Sequence, residues 1–481
     1  MKAEVRERMI IKQNSKYTLF WLLTVLLGSV LFLPWILAPG MASDGMAYAT
    51  IGRNLAEGRG TFWQPFFSQT LFPAFYEHPP IVFAIESLFY RILGDYLFVD
   101  KLYTFTCFIL SGFLLVKIWQ LVTGDSVNAW LPLILWVAVP EVSYAYANNF
   151  LENTMGVFCF GSCYSLLYYF RNGNHKKWLI LISVLLIMLG TLSKGPFALF
   201  PIALPGIYWV AFRKISFAEA LKCTILLVIG TLLCFSLLML WPAARQNLLT
   251  YFSSQVIESI AGHRSLPGNR FFVLNTLIYK LKPIYLSIPF VFLAGVVFVK
   301  TKVAGQNYRA ALFFFLMALA ITLPVLISPK QFEQYILCAY AFYALAGAAL
   351  VSPFVDYWIK RFINPKRIVS GILNLTLVLA IISSVYFGYK HPEDYIIDRD
   401  ILKDVQNMQP HLLQNSVLYV GKNCDNEWPL RAVMYRRYHI SIADESSGEE
   451  YFLASGSNPP VPEGYKQLSL GNKYCLFVRQ N

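Results

Sequence analysis

Charge is scarce in this chain. Of 481 residues only 14% are Asp, Glu, Lys or Arg, and 27 acids stand against 40 bases. A soluble protein carries roughly 25% charged residues. Set against 57% hydrophobic and 16% aromatic residues, the deficit excludes an ordinary soluble enzyme. None of the 8 cysteines falls in a CxxC pair, which removes the common zinc and dithiol signatures. Cys107, Cys159, Cys163, Cys223, Cys234 and Cys338 lie in apolar runs and read as inert small hydrophobes. Cys424 and Cys475 fall in a polar tail, where they can pair if that tail is extracytoplasmic. No small-residue cleavage pattern follows the first apolar run, so it reads as a retained anchor. No internal repeat is visible, which weighs against an inverted-repeat transporter or flippase.

What is present is a series of apolar runs through the first 390 residues, many near the ~20 residues a bilayer requires. Spans are expected at 17–36, 98–121, 127–147, 151–170, 178–193, 196–212, 219–241, 284–300, 310–327, 333–351 and 368–388. The net charge of +13 is explained by the loops between them rather than by nucleic acid. Lys and Arg gather before 17, at 171–177, 213–214, 300–309 and 360–367, so these segments are expected to be cytoplasmic. The stretch 81–93 contains Glu86 and Arg91, is short for a span, and reads as an interfacial helix opened by Pro79-Pro80. Residues 389–481 change character, with a short helix at 400–408 and strands at 417–420, 439–442, 451–453 and 474–478. The expected architecture is a polytopic α-helical membrane protein, residues 1–388, with a small extracytoplasmic α/β domain, residues 389–481.

On that topology the first outer loop, 39–97, carries Asp44, Glu77 and His78. Other outer loops carry Asn148, Asn149 and Glu152; Lys194; Arg245, Glu258, His263, Arg264 and Arg270; and Lys330, Glu333 and Tyr335. Each has an ordinary structural explanation. Asp44 could cap the helix that follows it. Glu152 could favour a helix start. Lys194 could snorkel, and Tyr335 could belong to an aromatic belt. Jointly they put acids, bases and cations from five loops on one membrane face, as transfer from a membrane-embedded anionic donor would require. Lys194, Arg264, Arg270 and Lys330 are candidates for a lipid-phosphate leaving group. Asp44 is the candidate base, and two acids with a histidine can hold a divalent ion.

The motifs in these loops resemble the polyprenyl-phosphate-dependent glycosyltransferases of the GT-C class, in particular bacterial aminoarabinose lipid A transferases and their protein-mannosyltransferase-like relatives. Ser43-Asp44-Gly45 with Ile51-Gly52-Arg53-Asn54-Leu55 is similar to the first-loop acidic motif. Tyr76-Glu77-His78-Pro79-Pro80 is similar to an aromatic-Glu-Lys-Pro-Pro element, Asn149-Phe150-Leu151-Glu152 stands where a second acid is expected, and Leu192-Ser193-Lys194-Gly195-Pro196 is similar to a Thr-Lys-Gly-Pro element. Ser328-Pro329-Lys330 through Tyr335-Ile336-Leu337 is similar to a late Ser-x-x-Lys…Tyr-x-Leu element. His78 departs from the lysine of relatives, Glu152 from their aspartate, and Gly45 from a second acid that some carry beside Asp44.

The resemblance implies a GT-C fold of about eleven transmembrane helices in a bacterial inner membrane, with the tail periplasmic. It implies transfer of a sugar from a polyprenyl-phosphate donor to lipid A, another lipid, a glycan or a protein on the outer face. Asp44 and Glu152 would be catalytic. Lys194, Lys330, Tyr335, Arg270 and His78 would bind donor phosphate, and Glu77 with His263 would hold a divalent metal ion. Protein O-mannosyl transfer differs only in the acceptor.

Overall fold

The computed structural model describes residues 2–172, 176–262, 270–299, 305–362, 367–390, 397–421, 427–444, 450–456 and 459–480. The chain opens with α1 (Lys2–Leu37). Two helices of the first loop follow, α2 (Ser43–Ala56) and α3 (Ile81–Leu93), and then α4 (Leu97–Thr123), which stops at a left-handed Gly124. The next apolar run is broken. Helices α5 (Trp130–Val137) and α6 (Pro140–Ala147) meet at 76°, because Pro140 has no N–H to continue the ladder of α5 and instead starts α6. Then come α7 (Leu151–Arg171) and α8 (Trp178–Lys194). A 3-10 turn, Pro196–Ala203, leads into α9 (Leu204–Phe212).

Ser216 opens α10 (Phe217–Met239) as a side-chain cap, its hydroxyl accepting from Glu219 N at 3.1 Å. The loop after it is built from α11 (Pro242–Tyr251), a π turn at Phe252–Ile257, the single turn α12 (Glu258–Ile260) and α13 (Phe272–Lys280). Helices α14 (Lys282–Val299), α15 (Gly305–Ile327), α16 (Leu337–Phe362) and α17 (Arg367–Lys390) complete the bundle.

Among the described residues, six helices are long and apolar enough to cross a membrane, or seven if the bent α5–α6 pair is one span. Every expected span falls on helix, but four fall short of that measure. Helix α8, the 196–212 segment and the apolar stretch Asn374–Tyr386 of α17 are short, and α7 is diluted by polar residues such as Glu152, Asn153, Ser162 and Ser165, all buried. Those polar groups face protein rather than lipid, as the cost of burying polar groups in hydrocarbon demands. Helix α7 packs against α4 and α8, α15 against α16, and α1 against α17. The stretch Glu333–Phe362, which contains α16, is the most enclosed candidate span, with 89% of its apolar window buried.

Helix α3 is amphipathic. Val82, Phe83, Glu86, Ser87 and Tyr90 form its buried face, while Leu88 and Ile92 are exposed. At 13 residues it spans only ~20 Å, less than a bilayer core.

The tail is a mixed sheet with two helices. It runs α18 (Arg399–Met408), β1 (Val417–Val420), α19 (Trp428–Tyr438), β2 (Ser441–Asp444), β3 (Tyr451–Ser455), β4 (Tyr465–Leu470) and β5 (Tyr474–Arg479). The strand order is β2-β1-β3-β5-β4, parallel through β2, β1 and β3 and antiparallel at β5 and β4. Buried Asp404 of α18 binds the turn before β5, accepting from the backbone N–H groups of Asn472, Lys473 and Tyr474 at 2.7, 2.6 and 3.0 Å. Cys475 is buried in β5 with its thiol directed at Gly456 O, 3.3 Å away; Cys424 lies outside the described residues.

Candidate active site

The helix α2 sets the site. Asp44 is in its first turn and does not cap it: Ala42 occupies the cap position, and the Ala42 N–H donates to Asn148 Oδ1 at 2.7 Å. Asp44 Oδ1 instead accepts from the indole Nε1 of Trp428, at the start of α19, at 2.8 Å. The neighbour Gly45 explains itself sterically. A Cβ there would stand 1.9 Å from the Asn148 carbonyl oxygen, so no side chain, acidic or otherwise, fits beside Asp44. Further along α2, Asn54 ties down the first loop by donating to Phe66 O and Phe67 O at 3.0 and 2.9 Å.

Glu152 and Lys194 meet on the first turn of α7 and the last turn of α8. Glu152 Oε1 and Lys194 Nζ are 3.2 Å apart, with both side chains buried. The Lys194 ammonium also lies 5.5 Å from the centre of the Tyr335 ring. Gly195, with φ 81°, turns the chain here, and a Cβ would fall 1.9 Å from the Tyr251 hydroxyl. That hydroxyl donates to Lys194 O at 3.2 Å. The Lys-Gly-Pro sequence thus stops α8 on its lysine, lets α11 close in, and starts the 3-10 turn.

Beside this pair opens a cavity of about 640 Å³. Its polar lining includes His78, Lys194, Gln255, Ser328, Lys330 and Tyr335, and the rest is largely apolar, much of it from 196–203 and 320–324. Glu77 stands at its edge, its carboxylate accepting from the Gln255 amide. His78 packs between Tyr48 and Tyr251, with ring centroids 5.6 and 6.2 Å away. Tyr48, on the buried face of α2, is the electrostatic meeting point. Burial raises its hydroxyl well above the usual phenol range, and the charges of Asp44 and Glu152, with Tyr335 and Glu77, add to the shift. Asp44, Glu77, Glu152, Lys194, Lys330, Tyr335 and His78 therefore surround one region. Arg270 is exposed, outside the cavity lining, and His263 and Arg264 lie outside the described residues.

Several participants carried no motif signal. Glu86, on the buried face of α3, accepts from Asn149 Nδ2 at 2.8 Å; burial first, and then the Asp100 charge, raises its carboxyl well above the usual range. Glu141 of α6 is fully buried against Lys280 at 2.6 Å, and Lys280 reaches Glu333 at 3.4 Å. The chief surprise is the tail. Arg436 of α19 donates through Nε and Nη2 to the two oxygens of Asp100 at 3.1 and 2.8 Å, and through Nη1 to Asp95 at 2.8 Å. Arg53 of α2 returns the grip, donating to Arg436 O at 2.8 Å and Tyr435 O at 3.3 Å, the carbonyls at the end of α19. Nothing in the sequence pairs residues more than 300 positions apart.

Glu57, Asp95 and His439 are the one trio among the described residues whose ligand atoms lie within 4.8 Å of one another. It does not suit a metal ion. Arg53 and Arg59 already face Glu57 at 3.8 and 3.3 Å, and Arg436 holds Asp95 at 2.8 Å, so a divalent ion would have to displace guanidinium groups.

Comparison with known proteins finds likenesses in fold and in one segment of the sequence. The family model of dolichyl-phosphate-mannose-protein mannosyltransferases matches residues 77–241. Among solved structures, ArnT from Cupriavidus metallidurans bound to undecaprenyl phosphate is similar at a TM-score of 0.65 and 14% identity, over 96% of this chain and 97% of that one. The Archaeoglobus fulgidus oligosaccharyltransferase in its apo form is similar at a TM-score of 0.53 and 11% identity, over 89% and 64% of the two chains. Its complex with Zn and sulfate gives 0.52 and 12%, over 91% and 68%. Sequence comparison with curated proteins returns no significant match. In fold and in the matched segment, the chain resembles the GT-C class of polyprenyl-phosphate-dependent glycosyltransferases, with ArnT and the protein mannosyltransferases as its points of likeness.

Proposed function

We propose that the protein is a membrane glycosyltransferase that moves a sugar from a polyprenyl-phosphate donor to an acceptor hydroxyl on the outer face of a bacterial inner membrane. The carrying observation is the cavity of about 640 Å³, apolar along most of its wall and cationic at Lys194 and Lys330. That combination suits a lipid chain ending in a phosphate. The reading takes eleven spans, with the N-terminus cytoplasmic and residues 389–481 as a periplasmic domain.

In the reaction the bond from the sugar's anomeric carbon to phosphate oxygen breaks, and polyprenyl phosphate leaves. Lys194 and Lys330 stabilise its charge, with Tyr335 and His78 as hydrogen-bonding partners and Arg270 as a further candidate cation. The acceptor oxygen bonds to the anomeric carbon and gives its proton to the Asp44 carboxylate. Glu152 is assigned to holding the Lys194 ammonium at the phosphate, because it is buried against that lysine rather than open to the acceptor. Glu77, with His263, is the candidate pair for a divalent metal ion, which would supply further positive charge for the leaving phosphate.

The family match also favours a second acceptor class, a protein hydroxyl receiving a mannosyl group. Lipid and protein extracts from wild-type and deletion cells separate the two. A glycosylated lipid missing from the deletion supports the first, a missing glycoprotein the second, and unchanged extracts count against both. Transfer by purified protein from a panel of undecaprenyl-phosphate-linked pentoses and hexoses then identifies the donor.

A further inference from the structure

We infer that Trp428, from the tail domain, is a positioning residue for Asp44, so that the reaction centre is completed by the tail. This rests on the reading of Asp44 as the base.

The indole is a donor with no acceptor capacity, so it can neither take nor relay the acceptor's proton. Its bond of 2.8 Å to Asp44 Oδ1 fixes one oxygen and the rotation of the carboxylate, and leaves Oδ2 for the acceptor. Asp44 is half-buried and Ala42 is the cap, so α2 itself does not hold this side chain by a capping bond. The indole is in turn held. Its ring packs on Phe67 and Phe72, with centroids 5.3 and 6.5 Å away. Phe67 is fixed by the Asn54 bond to its carbonyl at 2.9 Å. At the other end of α19, Arg436 is anchored on Asp100 and Asp95, and Tyr435 packs on Phe67 at 5.9 Å. The helix is thus pinned at both ends to the first loop, which is what a group must have to orient a neighbour rather than brush against it.

The test uses the full-length protein in nanodiscs. Trp428→Phe keeps the ring packing and removes the donor, Trp428→His restores a ring N–H, Phe67→Leu disturbs the packing alone, and Asp44→Asn removes the base. Turnover is measured with the member of the undecaprenyl-phosphate-linked sugar panel that the wild type uses. Binding of undecaprenyl phosphate is measured by thermal shift.

Positioning predicts that Trp428→Phe lowers kcat on the order of tenfold to a hundredfold. KM for the lipid-linked donor and the undecaprenyl phosphate shift stay at wild-type values, and Trp428→His recovers part of the rate. Wild-type kcat in Trp428→Phe with an inactive Asp44→Asn overturns the inference and leaves the base reading intact. Full activity in Asp44→Asn overturns both. An equal loss in Phe67→Leu, with weakened undecaprenyl phosphate binding, or no recovery in Trp428→His, reduces Trp428 to a structural contact and also overturns the inference.

Discussion

Glu152 and Lys194 oppose each other at 3.2 Å, the carboxylate fully buried and the lysine nearly so at the cavity wall. An ion pair so enclosed does not have to stabilise the fold, because desolvation of both groups offsets their attraction. Breaking it from one side is another matter. Lys194→Met leaves a carboxylate buried among aromatic and apolar groups and is expected to cost about 3–5 kcal/mol. Glu152→Gln/Lys194→Met is expected to be more stable than Lys194→Met alone. Both should lose transfer, since the cation at the phosphate is gone. Thermal melts in detergent with a parallel transfer assay check the pattern.

Asp44→Asn keeps the shape of the side chain and its acceptor oxygen for Trp428, but cannot accept a proton. Transfer is expected to fall by at least ~100-fold while undecaprenyl phosphate binding is unchanged, since Lys194 and Lys330 remain. Full turnover by this variant would remove Asp44 from the chemistry.

Gly195→Ala meets two obstacles, a φ of 81° and the Tyr251 hydroxyl 1.9 Å from the new methyl. Pairing it with Tyr251→Phe removes the hydroxyl but neither the backbone strain nor the ring carbon 2.8 Å from the new methyl. The double variant is therefore expected to regain part of the lost melting temperature and to stay at least about 1 kcal/mol below wild type. Full recovery would show the backbone to be relaxed.

The grip of the tail on the first loop should weaken in acid. Burial works to raise the Asp95 carboxyl, but its bond with His439 and the guanidiniums of Arg436 and Arg53 outweigh it and hold it at about 2. A lowered folded-state value means that its contribution is full above about pH 4 and is lost as pH falls through about 2. Asp95→Asn should remove that part of the dependence. Limited pepsin digestion of the tail across pH 4 to 2 measures it, the wild type becoming more sensitive over that window and the variant changing less.

Much of the helical layout was legible because it is written in local hydrophobicity. The ends of α4 and α8 stand at glycines, and the run at 127–147 read as one span until Pro140 is seen to bend it by 76°. The strands of the tail were legible where apolar residues cluster. β4, at Tyr465–Leu470, and α19 were not, since α19 carries charges around an almost patternless face and is defined by what it docks on. The candidate site was legible as a set of residues on loops of one side. The pairing of Glu152 with Lys194 was not, because two residues on consecutive helices each have an ordinary explanation until they are seen to touch. The departure at Gly45 became intelligible only when the Asn148 carbonyl was found against it.

The bond between Trp428 and Asp44 joins positions 384 apart in the chain. A membrane protein is threaded into the bilayer from its first helix onward, and α2 with its carboxylate is made early. Its partner follows 384 positions later. During synthesis the chain thus holds most of its bundle before the tail exists, and on the proposed role of Trp428 the Asp44 carboxylate is oriented only once α19 has docked on the first loop. On the proposed role of Trp428, a stop between the end of α17 and residue 428 should leave an inserted bundle that transfers poorly.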